Sequence, residues 1–114
     1  MRILVADDHP PTLQRLATAL SSRGRVTAVS SGFAALAAIQ AAHQQGDPFE
    51  LVVLDITMPL GDGISTARAL RIEGDDLVLW GLTRRSFRAP ESWPFDAVWG
   101  KEHLELLMLG LQAA

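Results

Sequence analysis

The chain contains no cysteine and no tyrosine, and only one of its ten basic residues, Lys101, is a lysine. Without cysteine there is no disulfide framework, no thiolate zinc site and no cysteine nucleophile. Long apolar runs are missing too. The first, Ile3 to Ala6, is cut off by Asp7 and Asp8 and is too short for a signal-peptide core, and nothing approaches the roughly 18 apolar residues of a membrane span. A cytoplasmic protein is the expectation. A surplus of basic charge is also absent: ten basic against thirteen acidic residues leave a net −3, so direct contact with nucleic acid is not expected. What remains is 114 residues, 48% hydrophobic and 20% charged, a balance that fits one domain over 1–114 with one core. At this size about two-thirds of the unfolded chain's surface can be buried, so neither disulfide nor structural metal is needed to fold.

Short apolar runs alternate with helical patterns, the sequence form of a parallel sheet covered by helices on both faces. Ile3 to Ala6 reads as a buried strand. Pro10 and Pro11 suit a helix start, Leu13, Leu16, Ala17 and Leu20 follow at helical spacing, and Gly24 is expected to close that helix. Val26 to Val29 reads as a second strand. Ser30 or Ser31 can cap the next helix, whose inner stripe is expected to be Phe33, Leu36, Ala37 and Ile39. Gly46, Asp47 and Pro48 break the chain before the strongest strand signal, Leu51 to Leu54. A helix through Ile64, Ala67, Leu70 and Ile72 ends near Gly74, and Leu77 to Leu82 reads as a fourth strand. Pro90 and Pro94 then interrupt the rhythm where a fourth helix belongs. Ala97 to Trp99 is a brief fifth strand, and a leucine-rich helix from Glu102 to about Gln112 closes the chain. The expectation is α/β, a single doubly wound parallel sheet of five strands with a shortened or irregular fourth helix.

In such a sheet ligands bind beyond the carboxyl ends of the strands. Those ends bring Asp7 and Asp8, Asp55, Thr83 and Lys101 to one edge. Three carboxylates in proximity repel one another unless a cation neutralises them, and an oxygen-only set suits magnesium or calcium. A carboxylate beside such an ion can attack phosphorus, with the metal, the ammonium and the hydroxyl balancing the charge of the phosphoryl oxygens.

The acid pair after ILVA, the block LVVLDITMPLGDG around Asp55, the GLT ending in Thr83, and Lys101 together resemble the receiver domain of two-component response regulators. The resemblance runs from Arg2 to the last helix, and Asp55 followed by Met58, Pro59 and Gly63 is its specific part. It implies a flavodoxin-like (βα)5 fold with Asp55 as phosphoacceptor. It further implies Mg2+ held by Asp8 directly, by Asp7 more through water, by Asp55 and by the Thr57 carbonyl, with Thr83 and Lys101 binding the phosphoryl group. The implied partners are a histidine kinase or histidine phosphotransfer protein and a downstream protein. A homodimer would use the fourth-helix, fifth-strand and fifth-helix face. Any enzymatic activity would be limited to self-phosphorylation and autodephosphorylation.

Plainer roles exist for several of these residues. Asp7 and Asp8 can cap the first helix, Thr83 can be an ordinary strand-end residue, and Lys101 a solvated lysine. His9, His43 and His103 read as surface residues. Trp80 reads as core, and Trp93 and Trp99 either as plugs of the weakened fourth-helix region, the preferred reading, or as a partner surface.

The last third also departs from the family pattern. Arg84 follows the switch threonine where a small residue is usual, and Val98 stands three before the lysine where an aromatic is usual. Trp99, its neighbour, should point to the opposite face. Glu102 replaces the usual proline, and the stretch from Thr83 to Lys101 is short. These departures keep open an atypical pseudo-receiver that signals by binding without the usual phosphorylation switch. An aspartyl-phosphate phosphatase would want an acid where Thr57 stands.

Overall fold

A computed structural model describes residues 1–56, 63–72, 77–83 and 92–101. The apolar runs form strands β1 (Arg2–Ala6), β2 (Arg25–Val29), β3 (Leu51–Asp55), β4 (Val78–Thr83) and β5 (Ala97–Gly100). They join in one parallel sheet of order β2-β1-β3-β4-β5. From β1 the chain adds β2 on one side and then β3, β4 and β5 on the other, so the direction in which strands are added reverses between β1 and β3, the place where an open α/β sheet offers a crevice. The fold class read from the alternating pattern is the one observed.

Helices α1 (Pro10–Leu20), α2 (Gly32–Gln44) and α3 (Gly63–Ile72) divide between the faces. Odd-numbered β1 residues Ile3 and Val5 pack with Leu16 and Leu20 of α1, while Leu4 and Ala6 pack with Ala35 and Ile39 of α2. That division follows from the two-residue repeat of a strand. Each Leu, Ile or Val sequestered this way contributes about 1.5–3 kcal/mol. The edge strand β2 is half-buried at best, whereas every residue of β3 is buried.

Three local expectations change. Phe33 is 64% exposed and Ala37 is exposed as well, so neither belongs to the inner stripe of α2. Through its first two turns, Gly32 to Ile39, that helix is apolar all round, and a pattern apolar on every side does not reveal which side faces in. Its buried positions are Gly32, Ala35, Ile39 and Ala42, with Leu36 packed at the margin. The cap is Ser31, whose Oγ accepts from Ala34 N at 3.1 Å. Gly24 does not close α1, which ends at Leu20; instead it lies against the Met1 carbonyl, where a Cβ would collide.

Arg71 at the end of α3 ties the last two strands together. Its guanidinium donates to the Pro94 carbonyl at 2.9 Å and pairs with Asp96 at 2.8 Å. Asp96 in turn accepts from Leu79 N at 2.7 Å, and its own N donates to the Leu79 carbonyl at 2.8 Å. The fourth helix and the closing helix of the sequence reading fall largely or wholly outside the described residues; residues 92–96 are bends leading into β5. Trp80 and Trp99 pack on the α1 side of the sheet with ring centroids 6.0 Å apart, so Trp99 is on the face opposite Val98, as alternation requires. No described helix is long and apolar enough to cross a membrane.

Candidate metal centre

The carboxyl edge of the sheet gathers the acids. Asp7 follows the last residue of β1 and is fully buried, Asp55 is the last residue of β3 and is 1% exposed, and Asp8 is exposed. Ligand oxygens from all three lie within 4.8 Å of one another. Lys101, just past β5, reaches between two of them: its Nζ is 3.0 Å from Asp55 Oδ2 and 3.0 Å from Asp7 Oδ2. The contact with Asp55 has hydrogen-bond geometry, whereas Asp7 Oδ2 is left without a hydrogen bond among the described residues.

The backbone explains why Asp7 is held so firmly. Its N donates to the Val29 carbonyl at 3.2 Å, and its Oδ1 accepts from His9 N at 2.8 Å. Helix α1 is capped at His9, with no side-chain cap bond. Asp7 and Asp8 therefore do not serve as its N-cap. His9 is exposed, as expected, and its Nδ1 lies 2.7 Å from Thr12 Oγ1. His43 is exposed too, and His103 lies outside the described residues.

Electrostatics match this crowding. Burial raises the Asp7 pKa above the ordinary carboxylate value, and the nearby Asp55 charge adds to that, against the opposing pull of His9 N and Lys101. For Lys101 burial favours the neutral amine, but the paired carboxylates of Asp7 and Asp55 outweigh it and hold the pKa above the ordinary lysine value. Two buried carboxylates sharing one ammonium beside a third, exposed carboxylate form a group that could hold a cation. Oxygen donors of this kind fit a hard divalent ion such as Mg2+.

Thr83, the last residue of β4, is buried and its Oγ1 donates a long, 3.5 Å bond to the Trp99 carbonyl. It lies on the same face as Val98, because Gly81 is in register with Val98 and Thr83 with Gly100. Gly63 was legible as part of the Asp55 block, but its reason is structural. A Cβ there would run into the Asp55 carbonyl and lie 2.7 Å from Ile56 Cα, so only glycine lets α3 begin this close to the acid. Thr57 and Arg84 lie outside the described residues. The sequence did not announce the Arg71 and Asp96 pairing, since no local pattern links residues so far apart.

The chain belongs to the response regulator receiver domain family, whose model matches residues 3–89. It is thus a module of two-component signal transduction. Among proteins it is similar to, the sensor histidine kinase GacS of Pseudomonas protegens is 42% identical over 71 residues, covering 61% of this chain and 7% of that protein. The response regulator MprA of Mycobacterium avium is 40% identical over 86 residues, covering 75% of this chain and 36% of that one. The chain therefore spans a small part of the curated relatives it matches. Among solved structures, the response regulator TrrA of Thermotoga maritima, in complex with Mg2+ and beryllofluoride, is 29% identical with a TM-score of 0.74, covering 96% of this chain and 97% of that one. The receiver domain of a Francisella response regulator, 22% identical with a TM-score of 0.79 and covering 98% and 93%, has the same fold.

Proposed function

We propose that residues 1–114 act as one receiver domain in the cytoplasm that takes a phosphoryl group on Asp55 from a phosphohistidine partner, with Mg2+, and thereby changes its contacts with another protein. The observation that carries this reading is the meeting of Asp7, Asp8 and Asp55 around the Lys101 ammonium, 3.0 Å from two of them. The Mg2+ and beryllofluoride complex of TrrA supports it by analogy.

Asp7, Asp8, Asp55 and the Thr57 carbonyl would hold the ion, which supplies positive charge to the phosphoryl oxygens and so lowers the barrier to attack. An Asp55 carboxylate oxygen attacks phosphorus in line. The P–O bond forms as the P–N bond breaks, and the departing imidazole nitrogen keeps the electron pair and takes a proton. Lys101 keeps its contact with Asp55 and moves from Asp7 toward the transferred oxygens. Thr83 exchanges its long bond to the Trp99 carbonyl for a phosphoryl oxygen.

Val98 favours a second reading, the pseudo-receiver that signals by contact alone. It occupies the face shared with Thr83 where an aromatic would follow the threonine inward. One experiment separates the two. Incubation with acetyl phosphate and Mg2+ should add one phosphoryl mass that is absent in Asp55→Asn and absent with chelator. No added mass with acetyl phosphate or with a panel of phosphorylated histidine kinases would establish the pseudo-receiver.

A further inference from the structure

Helix α1 keeps a hydroxyl where its packing calls for none. Its buried positions are Thr12, Leu16 and Leu20, a stripe at four-residue spacing whose two leucines pack on Ile3 and Val5 of β1. Thr12 is only 9% exposed, and a hydroxyl buried without a partner is costly. Its partner is His9: Thr12 Oγ1 lies 2.7 Å from the ring Nδ1. The N-cap side chain of a helix ordinarily accepts from the first backbone amides. Here Pro10 and Pro11 open the helix and bring no N–H, and the His9 ring makes no bond to the helix backbone. It reaches the side chain of the third helical residue instead.

His9 is also the residue that holds Asp7. Its N donates to Asp7 Oδ1 at 2.8 Å, which leaves Asp7 Oδ2 facing Lys101 Nζ at 3.0 Å. The place of that amide is set by the His9 backbone, at φ −95° and ψ 104°, and three restraints converge there. The proline that follows keeps His9 extended. The His9 carbonyl accepts from Leu13 N at 3.0 Å. The ring is held by Thr12.

We infer that Thr12 and His9 are positioning residues for Asp7: the buried hydroxyl fixes the His9 ring, the His9 amide fixes one carboxylate oxygen, and the other is thereby kept facing the cation position and Lys101. This role presupposes the Mg2+ site proposed above. A carboxylate already held at one oxygen has less freedom to lose when an ion binds. Neither residue needs to touch the ion.

Thr12→Val and Thr12→Ser in the full chain separate positioning from packing. Valine keeps the shape and suits an apolar stripe, whereas serine loses a methyl group but keeps the hydroxyl. Both should keep the native circular dichroism. In the metal-free chain the His9 amide proton, drawn downfield by its bond to Asp7 Oδ1, should move upfield in Thr12→Val and stay in place in Thr12→Ser. In calorimetric titration Thr12→Val should weaken Mg2+ affinity about threefold to tenfold, less than the roughly ten- to hundredfold typical of a group bonded directly to a ligand, and Thr12→Ser should stay within about twofold of native. His9→Phe should weaken binding alike, and adding it to Thr12→Val should cost nothing more, because either change breaks the same contact. Native Mg2+ affinity with an unshifted His9 amide in Thr12→Val overturns the positioning role and leaves the Mg2+ site standing, and so does a loss that Thr12→Ser shares. A native chain that takes up no Mg2+ overturns the proposed site, and the positioning role with it.

Discussion

At the scale of single residues, the acid cluster carries a cost in stability that a bound cation would relieve. Asp7 is buried, its Oδ2 has no hydrogen bond among the described residues, and burial holds its pKa above the ordinary value of 3.8. The folded chain therefore binds the Asp7 proton more tightly than the unfolded chain does. Stability associated with that proton is full below about pH 3.8 and is lost as pH rises through the higher folded-state value. Asp7→Asn keeps an oxygen for the His9 amide and removes the buried charge. In chelator at neutral pH this variant should melt above the native protein, and the gain should shrink toward pH 4. The same change should weaken Mg2+ affinity at least tenfold in calorimetric titration. Lys101→Met should do the reverse, leaving two buried carboxylates to face each other. A loss of roughly 1–3 kcal/mol is expected, moderated by proton uptake, and Mg2+ should restore much of it in thermal melts.

At the scale of elements, two junctions set where the site residues stand. Gly63 lets α3 start against the backbone of Asp55 and Ile56, and Gly63→Ala would push backbone against backbone. A loss of about 1–3 kcal/mol in urea unfolding is expected, with slower phosphorylation because the acid itself is displaced. The Arg71 and Asp96 clamp joins α3, β4 and β5 at the opposite end of the sheet. Although its burial alone would raise the pKa, Asp96 is held below the ordinary carboxylate value by the Leu79 amide and Arg71. Its contribution is present above about pH 3.8 and disappears as pH falls through the lower folded value. The carboxylate is about half exposed, so Arg71→Ala should cost only about 1 kcal/mol at neutral pH, and less in acid. The strands were legible to within a residue or two because buried parallel strands are continuous apolar runs, as Leu51 to Leu54 shows. The orientation of α2 was not legible, because alanines all round the helix give the periodicity nothing to mark. The site acids were readable from their place after each strand, whereas the Lys101 bridge and the Arg71 clamp depend on contacts between distant segments.

At the scale of the whole molecule, the sheet separates Thr83 from the paired tryptophans. Thr83 and Val98 share one face, and Trp80 with Trp99 occupies the other. With Mg2+ and beryllofluoride bound, Thr83 should move while no aromatic ring follows it; methyl and amide NMR shifts would show the change at Thr83, Trp99 and Gly100 of β5. Unchanged Thr83 signals in a saturated complex would place the output elsewhere. The paired indoles give this division a further use. Two indoles 6.0 Å apart and inclined at 58° are close enough for their ultraviolet transitions to couple, and a coupled chiral pair gives circular dichroism of opposite sign on either side of its absorption band. The chain thus carries an unlabelled optical gauge of the distance between β4 and β5. A bisignate ultraviolet dichroism band should vanish in Trp80→Phe and report, without any added probe, whether phosphorylation opens the sheet at its last strand.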